Sequence, residues 1–542
     1  MKKLVYLISF ILMLSSCQEN EKADLLIWNA KIVRVDSQMN DAQALLIKDG
    51  KFIEIGNNEE IKKQSATKTI DAKGQFIYPG LIDAHCHFTG YAMDSYKLDL
   101  FGTKSFEEII EKVNVYGKTS ERDWIEGRGW DQNDWPNKEF PTKEKLDELF
   151  PDKPVFLLRV DGHAALCNQT ALNIAKITCD YTVEGGENIV KNGSCTGILI
   201  DNAIEEVRQH IPKLKETEAI AYFKKMEKEC FMNGLTSVVD CGVHDYVIDW
   251  VQKAYQDNLK IRSSFMLSDT KENFKRFLNN KPKQTERFTV FGFKFYTDGA
   301  LGSRGAFLLN DYTDRHNHRG FLLKSADSLR MAAEQLYDTD YQMCAHAIGD
   351  GAVRTILEIY AGVLKGKNDK RWRVEHAQVV DKNDFHYFKD YSIVPSVQPT
   401  HATSDMYWAD ERLGKERLQH AYAYQKLLAQ NGWIPLGTDF PVEYINPFFT
   451  FCSAVFRQDA ERYPMGGFQS ENALSREEAL KGMTIWAAQS TFEENEKGSI
   501  EVGKYADFIF TDIDFMKDDF LKIREGKVNK TFVGGEEVFT SK

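Results

Sequence analysis

The sequence predicts an α/β protein: a (β/α)8 barrel (TIM barrel) with a large insertion after its first strand, joined to a small β-sandwich built from both chain ends. Three observations predict it. Eight apolar, strand-like runs lie between residues 81 and 439, most of them followed by a helical stretch. Such alternation indicates a parallel sheet, and eight members suggest a closed one. Short strand-like runs punctuated by turn residues occupy both termini, which lie close together in many domains. The stretch from about 91 to 234 is too long for one strand-to-helix connection, so it requires structure of its own over the barrel's C-terminal face.

Taken in order, the chain opens with Lys2 and Lys3 before an apolar run, Leu4–Leu14, about half the length of a membrane span. This pattern reads as a secretory signal over residues 1–16. Leu14-Ser15-Ser16-Cys17 resembles a bacterial lipobox, in which Cys17 becomes the lipidated first residue of the mature chain; a plain signal peptide is the alternative. Residues 17–23 would be a tether, and the expected location is the bacterial cell envelope. Leu25–Val33, Ala44–Lys48, Lys51–Ile55 and Gln75–Tyr78 are strand-like, with Asp49-Gly50 as a tight hairpin turn. At the other end, Asp507–Thr511 and Lys530–Val538 are strand-like, with Gly534-Gly535 as a turn. Residues 24–79 and 498–542 are therefore expected to share the sandwich, leaving 80–497 to the barrel and its insertion. The barrel runs are Leu81–His87, Thr236–Gly242, Ile261–Leu267, Val290–Asp298, Gln342–Ala347, Arg373–Gln378, Ile393–Gln398 and Trp433–Asp439.

A formal net charge of −12 argues against nucleic-acid binding, which calls for a basic face. Of nine cysteines, none forms a C-x-x-C pair, so a structural zinc site is not expected. Disulfides are permitted in an exported chain, but these spacings name no pairing, and several cysteines sit in apolar runs as buried thiols do.

Chemistry-bearing residues recur at the ends of the barrel runs. The first ends in His85-Cys86-His87, whose two imidazoles share a face of the strand. Later runs end near Lys294, His346, His376 and Asp439. Active sites of such barrels sit at that face, and imidazole suits zinc, iron or nickel.

The motifs Tyr-Pro-Gly-Leu-Ile-Asp-Ala-His-Cys-His at 78–87, Gly-Arg-Gly-Trp-Asp at 127–131, Asp-Gly-His-Ala at 161–164 and Lys-Phe-Tyr-Thr-Asp-Gly-Ala-Leu-Gly-Ser-Arg at 294–304 carry a further resemblance. With His-Ala-Ile-Gly-Asp, Glu-His-Ala-Gln and Gly-Thr-Asp-Phe-Pro following in order, the chain resembles the amidohydrolase superfamily. The similarity is to its family 3, the YtcJ-like and N-substituted formamide deformylase-like branch, from about Leu25 to Val538. Thr438 stands where that family often has Ser, a conservative departure.

The resemblance implies a metal-dependent hydrolase of C–N bonds, usually with zinc, holding one or two ions. His85, His87, His346, His376 and Asp439 would be ligands, and Lys294 would carry a CO2-derived carbamate bridging two ions, or remain a plain lysine beside one. A metal lowers the pKa of its water and polarises the scissile carbonyl. Asp439 would take the water's proton and pass it to the leaving amine, with His346 or an insertion residue stabilising the oxyanion. Trp130, Asp131, His163, Asn168 and His401 are candidate substrate contacts, Trp130 alternatively a core residue of the insertion. The expected partners are a small amide-type substrate and, through Cys17, a membrane; a homodimer is left open. Ester, lactone or cyclic-amide hydrolysis, or a lipid-anchored binding protein without turnover, are the alternatives.

Overall fold

The computed structural model describes residues 22–542. The signal segment and Cys17 lie outside the described residues; of the expected tether, Ala23 already opens a strand, Ala23–Trp28. No helix among the described residues is long and apolar enough to cross a membrane.

Seven of the eight barrel runs are regular parallel strands, neighbours in chain order: Leu81–Cys86, Leu235–Val243, Arg262–Ser268, Phe288–Tyr296, Gln342–Ala347, Arg373–His376 and Val394–Ser396. They are covered on both faces, so they read as nearly continuous apolar runs rather than alternating ones. Leu81–Cys86 is buried at every position. The eighth run, Trp433–Asp439, forms no ladder, yet it closes the ring. Val397 N donates to Pro435 O (3.2 Å) and Gly437 N to Val397 O (3.1 Å), while Ala84 N donates to Leu436 O (3.2 Å) and Asp439 N to His85 O (2.7 Å). Pro435 has no N–H to give, which interrupts regular pairing. A Cβ on Gly437 would stand 2.5 Å from His85 N, so only glycine lets this run approach the first strand.

Two sheets form at the chain ends. Lys31–Val33, Asp41–Ala42 and Phe76–Pro79 join Phe508–Thr511, Val528–Val533 and Glu536–Thr540 in a six-stranded sheet. Ala23–Trp28, Ala44–Lys48, Lys51–Gly56 and Ala66–Asp71 make a four-stranded one. Leu25, Ile27, Leu45 and Phe52 from the second share a core with Ile77, Phe508, Phe510 and Phe532 from the first. The run 25–33 is split between the two sheets at Asn29, whose φ of 58° breaks the extended chain. Asp49 and Gly50 have φ of 50° and 73°, the left-handed pair of a tight hairpin turn.

The insertion carries its own six-stranded sheet, from Leu98–Asp99 to Ser194–Asp201, with apolar clusters on both sides. Its separately folded part ends before residue 216. The helix Glu216–Met232 buries Ala219, Phe223, Met226 and Cys230 in the barrel's own core. Cys179 and Cys195 form a disulfide within the insertion, a pairing their spacing did not reveal; Cys86, Cys167, Cys230, Cys241, Cys344 and Cys452 are buried free thiols.

Candidate active site

The barrel topology brings the ends of five runs to one point. His85 is fully buried, and its Nδ1 lies 2.5 Å from Glu375 Oε2. With Nδ1–H given to that carboxylate, Nε2 keeps its lone pair for a ligand, the arrangement usual in histidines that bind metals. Nε2 lies 3.3 Å from Lys294 Nζ and 3.6 Å from Asp439 Oδ1. His87 repeats the pattern: Nδ1 donates to Cys241 O (2.9 Å) and Nε2 lies 3.2 Å from Asp439 Oδ1. The His376 ring centroid is 4.8 Å from that of His85 and 4.6 Å from that of His346. One ligand atom each from His85, His376 and Asp439 fall within 4.8 Å of one another. His346 stands beside this trio, with Nε2 3.4 Å from Gly299 O.

The electrostatics match the geometry. Burial, then the Lys294 charge, lowers the His85 pKa to about 4, and burial holds His346 and His376 well below the usual histidine range. The three imidazoles are thus neutral, as metal ligands must be. Burial alone would raise the Asp439 carboxyl, but His87, His85 and His401 outweigh it and keep the group ionised. Asp439 Oδ1, His376 Nδ1 and His401 Nε2 are among the buried side-chain atoms that have no aligned hydrogen-bond partner. Buried polar atoms are seldom left so. A carboxylate oxygen and imidazole nitrogens left open around one point fit a divalent cation.

Several groups hold this arrangement that were not singled out from the sequence. Glu375 is clamped by Arg373 Nε at 2.6 Å, and the same arginine reaches Ala84 O (2.8 Å) and Ser396 Oγ (2.7 Å). Burial would raise the Glu375 pKa, but Arg373 and His85 bring it down to about 2. Asp83 ties the first strand to the eighth run, accepting from His85 N (3.1 Å), Thr438 N (3.0 Å) and Thr438 Oγ1 (2.6 Å). Asp298 accepts from Ile348 N, Gly349 N and Phe307 N, pinning the loop after Lys294 to the strand end that carries His346. His376 and Asp439 both have left-handed backbones, with φ of 71° and 63°. Each costs ~1–3 kcal/mol and persists only where neighbours enforce it. The only sequence signal was position: Asp83 stands two residues before His85, and Glu375 directly before His376.

Above the cluster is a cavity of about 670 Å³, walled by barrel and insertion, onto which His87, Lys294, His346, His376 and Asp439 open. Of the expected substrate contacts, Asp131, His163 and His401 line it. Asp131 is ion-paired to Arg159. His163 Nδ1 lies 2.5 Å from Asp201 Oδ1, and that carboxylate outweighs burial to raise the imidazole's pKa. His401 Nε2 is 3.6 Å from Asp439 Oδ2. Trp130 and Asn168 do not reach the cavity. Trp130 is 1 % exposed, packed beside Trp135 in the insertion core, with Nε1 donating to Leu157 O at 2.8 Å. Asn168 caps the helix Gln169–Ala175 and has no exposed surface. Its Oδ1 accepts from Val155 N and Ala171 N, and its Nδ2 donates to Phe150 O and Lys153 O. Both residues therefore build the insertion rather than touch a ligand.

A model of the amidohydrolase family matches residues 68–539. The chain is 31% identical to Protein LONG AFTER FAR-RED 3 of Arabidopsis thaliana, covering 95% of this chain and 92% of that one. It is 28% identical to the putative amidohydrolase YtcJ of Bacillus subtilis (95% and 99% covered) and 24% identical to N-substituted formamide deformylase of Arthrobacter pascens (94% and 97%). The solved structure of an uncharacterized metal-dependent hydrolase from Pyrococcus horikoshii superposes with a TM-score of 0.76 at 26% identity, covering 92% of this chain and 99% of that one. The chain belongs to the amidohydrolase family and is a hydrolase acting on carbon–nitrogen bonds.

Proposed function

We propose that the chain hydrolyses the amide bond of a small N-acyl or N-formyl amine, with zinc as its metal. The observation that carries this reading is the buried, ionised Asp439, whose Oδ1 has no aligned partner while it faces neutral His85 at the floor of the cavity. Similarity along 94% of the chain to a formamide deformylase supports the choice of substrate class. Zinc would be held by His85, His376 and Asp439, with His87, His346 and Lys294 placed to complete one or two ion sites, and would supply Lewis acidity and a lowered pKa for water.

The chain's own residues do the rest. Asp439 takes a proton from the attacking water as its oxygen bonds to the carbonyl carbon, then delivers that proton to the nitrogen as the C–N bond breaks. Glu375 fixes the His85 ring, and Asp83 fixes the His85 and Thr438 backbones, so the base and the ligands keep one geometry. Lys294 is 1 % exposed and touches the His85 ring. A carbamate formed there by addition of CO2 would turn it into an anionic oxygen donor. Export and a lipid anchor at Cys17 belong to the same proposal. The Cys179–Cys195 disulfide supports an oxidising compartment.

The test is a panel of N-formyl and N-acyl amines beside esters, lactones and cyclic amides, assayed before and after chelation and after restoring zinc. Chelator-sensitive release of amine is expected. Turnover confined to esters or lactones would replace the amide reading, and no turnover of any member would favour a binding protein.

A further inference from the structure

The insertion does more than cover the barrel; it delivers a His–Asp pair to the cavity. His163 follows the turn Asp161-Gly162, and its ring centroid lies 5.2 Å from that of His346 and 6.5 Å from that of Tyr296. The rings of His87, His85, His376, His346 and His163 follow one another across the site, with successive centroid separations of 5.8, 4.8, 4.6 and 5.2 Å. His163 stands at the end of that series opposite His87 and Asp439. Its Nδ1 is committed to Asp201, and no hydrogen bond among the described residues takes up Nε2.

Asp201 is held there against three physical preferences. Its backbone has φ 50° and ψ −120°, a conformation normally given to glycine. Its side chain is fully buried, and Oδ2 has no hydrogen-bond partner. Finally, the carboxylate is wedged between two glycines of the barrel loop that follows Lys294: a Cβ on Gly299 or on Gly305 would stand 2.2 Å from Asp201 Oδ2. Asp201 N also donates to His163 O at 3.2 Å, so the pair is fastened at backbone and side chain. Stability alone explains none of these: a glycine at 201 and side chains at 299 and 305 would fill the same space without burying a charge.

We propose that His163 is a catalytic residue, its Nε2–H meeting the carbonyl oxygen of the bound amide on the side away from Asp439, and that Asp201 is its positioning residue. With Asp201 held against Nδ1, Nε2 is the ring nitrogen left to face the cavity. The contact strengthens as charge builds on that oxygen during attack, which is the condition for lowering the reaction barrier rather than merely binding substrate. Gly299 and Gly305 of the segment 298–305 then have a stated purpose, namely to admit the Asp201 carboxylate. The inference rests on the amide-hydrolase reading of the cavity.

The test compares zinc-loaded wild-type protein with His163→Gln, Asp201→Asn and Gly305→Ala. Gly305→Ala touches neither His163 nor the ligand set, and the atom its methyl meets first is Asp201 Oδ2. Loss of one such donor lowers kcat roughly 10²–10³-fold, so all three variants should fall in kcat with KM little changed and zinc content unchanged. Gly305→Ala combined with Asp201→Asn should be no slower than Asp201→Asn alone. In ¹⁵N-histidine-labelled protein, the downfield Nδ1–H signal of the pair should vanish in His163→Gln and move in Gly305→Ala, whatever the substrate. Variants that keep wild-type kcat in a protein that does hydrolyse amides would overturn the inference and leave the function standing. A wild-type protein without amidase activity would remove both, even with the downfield signal in place.

Discussion

His85 Nδ1 and Glu375 Oε2 lie 2.5 Å apart with both side chains fully buried, although 290 residues separate them in the chain. Through this contact Glu375 would decide which nitrogen of His85 is left for a metal. Glu375→Gln keeps the shape and removes the charge. Zinc affinity, measured by chelator competition, should fall roughly 10–100-fold. An unchanged affinity would show that Glu375 serves only as a counter-charge for Arg373.

Asp439 has two roles in the proposed chemistry, ligand and base, and they separate in Asp439→Asn. The backbone bond from residue 439 to His85 O survives the change, so the eighth run should stay in place. Removal of a general base costs ~10²–10⁴-fold in kcat, while the histidines retain part of the zinc. A folded, zinc-bearing variant with kcat near that of wild type would take Asp439 out of proton transfer.

Trp130 and Asn168 should behave as structural residues. Trp130→Ala should cost ~3–5 kcal/mol of stability, and Asn168→Ala about 1–3 kcal/mol, since it strands buried groups that now share four hydrogen bonds. In both, the protein that remains folded should keep the wild-type KM. A raised KM with an unchanged melting temperature would put either residue back in the substrate site.

Glu493 lies inside the structure bound to Ser264 Oγ, Thr289 Oγ1, Thr491 Oγ1 and Lys497. Burial would raise its pKa above the ordinary 4.5, but Lys497 and the hydroxyls of Ser264 and Thr491 outweigh it and hold the carboxyl lower. A group with a folded pKa below its unfolded one contributes stability that is complete above the unfolded value and is lost as pH falls through the folded one. Glu493→Gln should therefore be less stable than wild type at pH 7, by about 1–3 kcal/mol, and the gap should narrow once pH drops below about 4.5. Urea unfolding across this range measures it; a gap independent of pH would contradict the assignment.

The barrel was legible because strands buried on both faces leave long apolar runs, and the convergence of side chains at its mouth because histidines, a lysine and an aspartate recur where those runs end. What stayed hidden depends on contacts between distant residues. An acidic residue such as Glu375 or Asp201 looks alike in sequence whether it faces solvent or a buried imidazole. Trp130 and Asn168 sit in motifs as distinct as those of the clustered histidines, yet a motif records that a position is constrained, not whether by packing or by a ligand. The break at Asn29 and the missing ladder at Pro435 are single-residue backbone effects inside otherwise convincing strand patterns.

Every step of the proposed chemistry depends on a divalent cation held where His85, His376 and Asp439 converge. Anomalous X-ray diffraction at the absorption edge of the metal found in the purified, active protein tests this most directly. The expected result is a peak within bonding distance of those three residues, about 2.0–2.2 Å from nitrogen and oxygen if the ion is zinc. Crystals of protein that hydrolyses an amide but shows no peak there, or a peak only elsewhere, would contradict it.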